Sequence, residues 1–273
     1  MPFFERALRP RVFAHRGGCA LGPENTMAAF ERGLAAGADG LELDVHLSSD
    51  GVVVVCHDAM LDRTTDASGR IDRLTAAELS RVDAGYRWAD TAGNHPFRSC
   101  GIGVPSLRDV LRRFRDIPII IEMKADHREM GQALAAEVVA ASAVDRVCAA
   151  ADGRHAIRAA REALPSMASS ACRWDVRLAL YRSWAHWPVR HTEYGGYQVP
   201  ETAGSIRVVS PTFVRHAHEA GLEVQVWTVD DEADMRRLLG WGADALISNR
   251  PDRAVAVRNQ FMSVGQSPAA SQR

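Results

Sequence analysis

The chain has 273 residues, a formal net charge of −1 and a pI near 6.8, with 47% hydrophobic and 25% charged residues. That balance supplies enough chain for a large core and excludes a general nucleic-acid binder, whose affinity rests on neutralising many phosphates. Cys19, Cys56, Cys100, Cys148 and Cys172 are widely spaced with no C-x-x-C pair, which argues against a disulfide framework or structural zinc. No apolar run approaches the roughly 20 residues that span a bilayer, and Met1-Pro2-Phe3-Phe4-Glu5-Arg6 lacks a signal-peptide core. The sequence therefore reads as soluble and cytoplasmic, with no stable membrane insertion. Nothing in it sets the oligomeric state.

Short β-branched runs alternate with Ala/Leu/Arg-rich stretches from Arg11 to about Asp252, the pattern of repeated βα units around a parallel sheet. In chain order the predicted strands are Arg11–His15, Gly40–Val45, Ile119–Lys124, Arg146–Ala150, Met167–Ala171, Tyr197–Pro200, Glu223–Val229 and Ala245–Ser248. Eight is the closed-barrel number, so the expected fold class is α/β, a single TIM-type (β/α)8 barrel over residues 1–257. Helical periodicity falls between the strands at Thr26–Ala36, Leu107–Arg115, Met130–Ala141, Arg154–Leu164, Trp174–Trp184, Pro211–Ala220 and Glu232–Leu239. Gly37, Gly221 and Gly242 follow helices as stop signals.

Two pieces depart from the alternation. Val52–Cys56 is a further strand-like run too close to Gly40–Val45 for a helical crossover, and Asp50-Gly51 between them favours a tight turn. This predicts a β-hairpin extension of strand 2. If the turn holds only those two residues, Asp44 faces His57, and Glu42, Asp44 and His57 share one surface. Residues 58–104, rich in Asp, Arg, Gly and Thr, read as an inserted segment with one helix near Ala76–Val82. Past the barrel, 258–273 reads as a disordered C-terminal tail.

In such barrels the working groups sit at the C-terminal ends of strands. There the first strand gives His15-Arg16-Gly17, the second Glu42-Leu43-Asp44, and the third Glu122-Met123-Lys124. Three carboxylates at one rim repel one another and resist desolvation unless a cation sits between them. Oxygen-only ligation suits one hard divalent ion, Mg²⁺ or Ca²⁺, with Mn²⁺ as a further option. His15 and His57 are the natural proton-transfer pair, since imidazole titrates nearest neutrality. Arg16 and Lys124 add positive charge to the same rim and point to an anionic, phosphoryl-bearing substrate.

Taken together, His15-Arg16-Gly17, Pro23-Glu24-Asn25-Thr26, Glu42-Leu43-Asp44-Val45, Asp50-Gly51, His57-Asp58, Glu122-Met123-Lys124 and Trp227-Thr228-Val229 resemble the glycerophosphodiester phosphodiesterases, from about Arg11 to Asp252. The resemblance implies metal ligation by Glu42, Asp44 and Glu122, acid/base chemistry by His15 and His57, and phosphate contacts from Arg16 and Lys124. It also places Trp227 at the pocket. The implied reaction is hydrolysis of a small-molecule glycerophosphodiester to sn-glycerol 3-phosphate and an alcohol. One alternative is a phospholipase D-like enzyme acting on lysophospholipids or sphingolipids. Another is a catalytically silent, ligand-binding barrel. The family commonly carries an Asp near the C-terminus where this chain has Asn249, and Gly18-Cys19-Ala20 departs from its usual small polar run.

Remaining conspicuous residues have plainer expected roles. Asn25 or Thr26 is expected to cap a helix, and His216 and His218 to lie on the surface. Trp174, Trp184 and Trp187 are expected to pack helix against barrel. His127 lies close enough to the rim to be a candidate.

Overall fold

The computed structural model describes residues 2–5, 10–189 and 192–266. In chain order its elements are β1 (Arg11–Ala14), α1 (Met27–Ala35), β2 (Gly40–Leu47), β3 (Val53–Val55), α2 (Ala76–Leu79), α3 (Leu107–Arg113), β4 (Ile119–Met123), α4 (Arg128–Ala140), β5 (Val147–Ala150) and α5 (Arg154–Ala163). There follow β6 (Ala168–Ser169), α6 (Arg173–Ala185), β7 (Gly196–Pro200), β8 (Thr202–Ala203), β9 (Ile206–Arg207), α7 (Pro211–Glu219), β10 (Glu223–Trp227), α8 (Glu232–Gly240), β11 (Ala245–Ser248) and α9 (Pro251–Gln266).

Eight strands run parallel in the order β6-β5-β4-β2-β1-β11-β10-β7, and a parallel bridge between Ser170 and Gly196 closes the circle. This is the expected barrel. The strands close because each is buried on both faces, one against the ring of helices and one against the barrel interior; Val12, Phe13, Leu41, Leu43, Ile119 and Ile121 are all fully buried. At the N-terminal mouth the Arg11 guanidinium is buried with the Glu223 carboxylate 2.5 Å away and donates to the Phe3 carbonyl at 3.0 Å. Helices start where a side chain satisfies the first free amides: Thr26, Ser106, Ser210 and Asp231 each accept from a backbone N–H of the first turn.

Several expectations are corrected. The hairpin exists, but its register is Val45↔Val55, His46↔Val54 and Leu47↔Val53, one residue off the predicted pairing. Ser48 takes up the Val52 carbonyl through both its N–H and its hydroxyl, so the turn holds three residues rather than Asp50-Gly51 alone. The barrel does not end at Val257, because α9 continues to Gln266. The remainder of the expected tail, 267–273, lies outside the described residues. The β8–β9 hairpin (Thr202↔Arg207) was not foreseen, since two-residue strands carry no periodicity.

Other single-residue expectations also change. His216 is buried and its Nε2 donates to the Trp187 carbonyl at 2.5 Å. His127 caps α4, with its Nδ1 accepting from Met130 N. Trp174, Trp184 and Trp187 do not pack against the barrel; all three are exposed. A helix that starts at Arg173 turns their side of α6 to solvent, while Ala179, Leu180 and Ser183 face inward.

Candidate active site

Four strand ends build the site. β2 and β4 are direct neighbours in register Asp44↔Glu122, so these two carboxylates stand side by side, and Glu42 shares their face two residues earlier on β2. One oxygen from each of Glu42, Asp44 and Glu122 lies within 4.8 Å of the other two. Glu42 and Asp44 are buried, and Glu122 is partly so.

His15 follows β1 in a tight turn, His15–Gly17, that needs left-handed backbone at Arg16 (φ 51°) and Gly17 (φ 87°). Gly17 is required twice over: a Cβ there would also sit 2.7 Å from Phe30 Cδ1 and 2.8 Å from Ala29 Cβ of α1. The turn aims the Arg16 N–H at Glu42 Oε2 (2.9 Å) and brings His15 Nε2 to 3.8 Å from the same oxygen. His57 lies just past β3, where strand alternation no longer holds. It reaches the site despite the shifted register. Its backbone carbonyl accepts from His46 Nε2 at 3.0 Å.

Both imidazoles are oriented from behind. Asn249 Nδ2 donates to Asp230 Oδ2 at 2.7 Å, which fixes the amide so that Asn249 Oδ1 faces His15 Nδ1 at 2.6 Å. An amide oxygen only accepts, so His15 carries its proton on Nδ1 and presents a free Nε2 lone pair to the site. His57 Nδ1 donates to Asp58 Oδ1 at 2.6 Å, leaving Nε2 free there as well. Arg63 ties Asp58 (2.5 Å) to Glu24 (2.7 Å), and Glu24 accepts from Arg16 Nη1 at 2.9 Å.

The electrostatics are short of positive charge. Lys124 Nζ stands 3.0 Å from Glu122 Oε1 and 3.2 Å from Asp44 Oδ1, and Arg16 Nε is 3.3 Å from Asp44 Oδ2. Two cations thus face three carboxylates. Burial pushes Asp44 up, but Lys124, Arg16 and the Asn25 amide outweigh it and hold Asp44 below the usual carboxylate range. Glu42 forms no ion pair with a Lys or Arg among the described residues, and the Arg16 charge opposes its burial only weakly. Burial, then the neighbouring Asp44 and Glu122, raise it well above its ordinary value. Burial likewise raises Glu122, with Lys124 opposing. His15 is lowered, chiefly by burial, with Asn249 opposing and Arg16 adding to the effect.

His15, Arg16, Glu42, His57, Glu122 and Lys124 line one cavity of about 170 Å³ at the C-terminal mouth, which Trp227 also borders. Seven of the eight candidate catalytic, metal and substrate residues therefore line one cavity, and the eighth, Asp44, is buried with a carboxylate oxygen within 4.8 Å of those of Glu42 and Glu122, whereas His127 lies at the start of α4. Lys124 is held on the carboxylates as well as facing the cavity. Thr26 is the helix cap, whereas Asn25 (φ 58°) clasps Asp44, donating from Nδ2 at 2.9 Å and accepting its N–H at 3.2 Å. Asp230, Arg63 and the clamp role of Glu24 were not foreseen, because second-rank partners show no spacing signal. Asn249 was noticed as a departure, and Asp230 behind it supplies the carboxylate at one remove.

Asp58 offers a pH test of this scaffold. Burial pushes its carboxyl up, but Arg63 and His57 outweigh that and bring it down to about 2 from 3.8. A depressed carboxyl stabilises the fold above its unfolded value and loses that contribution as pH falls through the folded one. The melting-temperature gap between the intact chain and Asp58→Asn is expected to be full at neutral pH and to shrink between 3.8 and about 2. A constant gap would show that Asp58 is not charged in this network.

The profile of the glycerophosphoryl diester phosphodiesterase family matches residues 15–253. A glycerophosphodiester phosphodiesterase of Caldanaerobacter subterraneus is 28% identical over 253 residues, 91% of this chain and 97% of that protein. Among solved structures, the Agrobacterium tumefaciens glycerophosphodiester phosphodiesterase superposes with TM-score 0.72 at 27% identity, over 90% of this chain and 99% of that one. An Oleispira antarctica phosphodiesterase, solved with its product sn-glycerol-3-phosphate, shares the fold with TM-score 0.74 at 23% identity, over 92% of this chain and 97% of that one. The chain belongs to the glycerophosphoryl diester phosphodiesterase family of enzymes.

Proposed function

We propose that this chain hydrolyses small-molecule glycerophosphodiesters to sn-glycerol 3-phosphate and an alcohol, using one divalent ion and a pair of histidines. The observation that carries the reading is the convergence of three carboxylate oxygens within 4.8 Å, flanked by two imidazoles with free Nε2 atoms. The donor set fits a hard dication: it is all oxygen, buried at Glu42 and Asp44 and partly so at Glu122, and Glu42, in no Lys or Arg ion pair among the described residues, is pushed toward protonation. Glu42, Asp44 and Glu122 would hold Mg²⁺, Ca²⁺ or Mn²⁺. Such an ion supplies positive charge to the phosphoryl oxygens and lowers the pKa of an attacking hydroxyl.

The chain's own residues do the rest. His15, kept neutral by burial and held as the Nδ1–H tautomer by Asn249, removes a proton through Nε2. His57, oriented through Nδ1 by the Asp58 carboxylate, serves as the acid: in its protonated form it delivers the Nε2 proton to the departing alkoxide. Arg16 and Lys124 border the cavity and neutralise phosphoryl charge as it develops. Trp227 borders the cavity beside Gln198 and offers an apolar wall to the substrate.

A second reading, cleavage of lysophospholipids or sphingolipids, is favoured by one feature. A cavity of about 410 Å³ runs from Glu122 and Trp227 outward between α6 and the β8–β9 hairpin, walled by Val176, Leu180, Val199 and Val208. A coupled sn-glycerol 3-phosphate assay over glycerophosphocholine, glycerophosphoethanolamine and lysophosphatidylcholine separates the two. Faster turnover of the deacylated diesters is expected. A large preference for the acylated compound would favour the second reading, and no turnover of any would overturn both.

A further inference from the structure

The outer face of α6 is unlike the rest of the surface. Trp174 is 55% exposed, Tyr181 64%, Trp184 55% and Trp187, just past the helix, 68%. Leu178 joins them, so half of the exposed large hydrophobic residues in the described chain lie on this one helix and its C-terminal extension. Their spacing puts Trp174, Leu178 and Tyr181 on one line, with Arg177 and Trp184 on one flank and Arg182 on the other. Tyr181 and Trp184 stack edge to face at 5.6 Å. The arrangement is ordered: the His216 side chain pins the Trp187 carbonyl, and Ala179, Leu180 and Ser183 anchor the opposite side.

The arginines decide what covers this ridge. Arg173 pairs with Asp152, but among the described residues neither Arg177 nor Arg182 forms an ion pair. The single acid of the helix, Asp175, is spent on the Cys172 cap. The exposed face therefore combines indole and phenol rings with uncompensated positive charge. Tyr and Trp prefer a boundary that is apolar on one side and wet on the other, and arginines beside them seek anions. A second copy of the chain meets an obstacle here. Isologous pairing of a ridge flanked by Arg177 and Arg182 brings like charges together.

We infer that α6 docks on an anionic lipid surface, its aromatic ridge in the headgroup layer and Arg177 and Arg182 on the lipid phosphates. The opposite side of the same helix supports this. Val176 and Leu180, facing inward, and Arg177 beside them line the cavity that leads to Glu122 and Trp227, so a docked helix sets that cavity at the membrane. This is peripheral binding; no helix among the described residues is long and apolar enough to cross a membrane. It goes beyond the proposed hydrolysis and does not require that reading to hold.

The test is sedimentation of the full chain with vesicles of phosphatidylcholine alone or mixed with phosphatidylglycerol. Binding is expected to rise with phosphatidylglycerol, by about fivefold for each arginine engaged. It should be lost in about 1 M salt, where the screening length is about 3 Å. The variant Trp174→Ser/Tyr181→Ser/Trp184→Ser alters only exposed side chains. It should lose vesicle binding at unchanged melting temperature and unchanged turnover of a water-soluble diester. Failure of the intact chain to bind phosphatidylglycerol vesicles would overturn the inference, as would a triple variant that binds as well. Light scattering showing a dimer that the triple variant dissolves would replace the lipid by a second copy. Turnover of the soluble diester is read separately, so loss of docking and loss of the proposed hydrolysis are distinguishable.

Discussion

His15→Ala and His57→Ala are each expected to lower the rate of diester cleavage by about 10²–10⁴-fold, the contribution of one positioned acid or base. Neither change should unfold the chain. His15 follows β1 in its turn, and its ring bonds Asn249 Oδ1 at 2.6 Å and lies 3.8 Å from Glu42 Oε2 at the cavity wall. His57 is partly exposed and bonded to Asp58. The two losses should differ in their pH signature. Burial lowers His15, so its neutral form persists below 6.5 and the acid limb of kcat/KM should lie below that value. His15→Ala should remove the acid limb along with most of the rate. Retention of the intact chain's profile in that variant would remove His15 from proton transfer, and full activity in His57→Ala would remove the other member.

The second large effect separates two carboxylates that look alike in sequence. Glu42 is buried beside two other acids, and its raised value in the metal-free chain means that its charge opposes folding at neutral pH. The sign follows from linkage: a carboxyl raised above its unfolded value favours the fold only while protonated, at low pH. Glu42→Gln, which keeps the shape and removes the charge, is expected to raise the melting temperature of the chain in chelator while abolishing the gain on adding a divalent ion. Asp44→Asn behaves oppositely in chelator. It strips Lys124 and Arg16 of a close counter-charge and is expected to cost about 1–3 kcal/mol of stability. Thermal melts of both variants, with chelator and with Mg²⁺, Ca²⁺ or Mn²⁺, check this. Equal responses would contradict the charge-deficit description of the site.

Much of the site was legible because strand alternation and barrel geometry act on short stretches. Glu42 with Asp44 is a period-two statement, and the place of Glu122 follows once β2 and β4 are neighbours in the parallel order. His57 was placed correctly for a partly wrong reason. The three-residue turn shifts the hairpin register by one, and His57 reaches the cavity because it lies beyond the last paired residue of β3. What stayed hidden was contact between distant segments. Nothing local announces that Arg63 bridges Asp58 and Glu24, or that Asp230 orients the amide of Asn249. The aromatic side of α6 was misjudged for a related reason. A helix apolar on two faces does not reveal which one meets the barrel, and only the inward packing of Ala179, Leu180 and Ser183 resolves it.

The most direct measurement is release of sn-glycerol 3-phosphate from glycerophosphocholine by chain stripped with EDTA, before and after addition of one divalent ion, in the intact protein and in Glu42→Gln. Restored turnover in the intact chain, with none in the variant, is the predicted result. Undiminished turnover in EDTA would contradict a cation held between Glu42, Asp44 and Glu122 as the centre of this site.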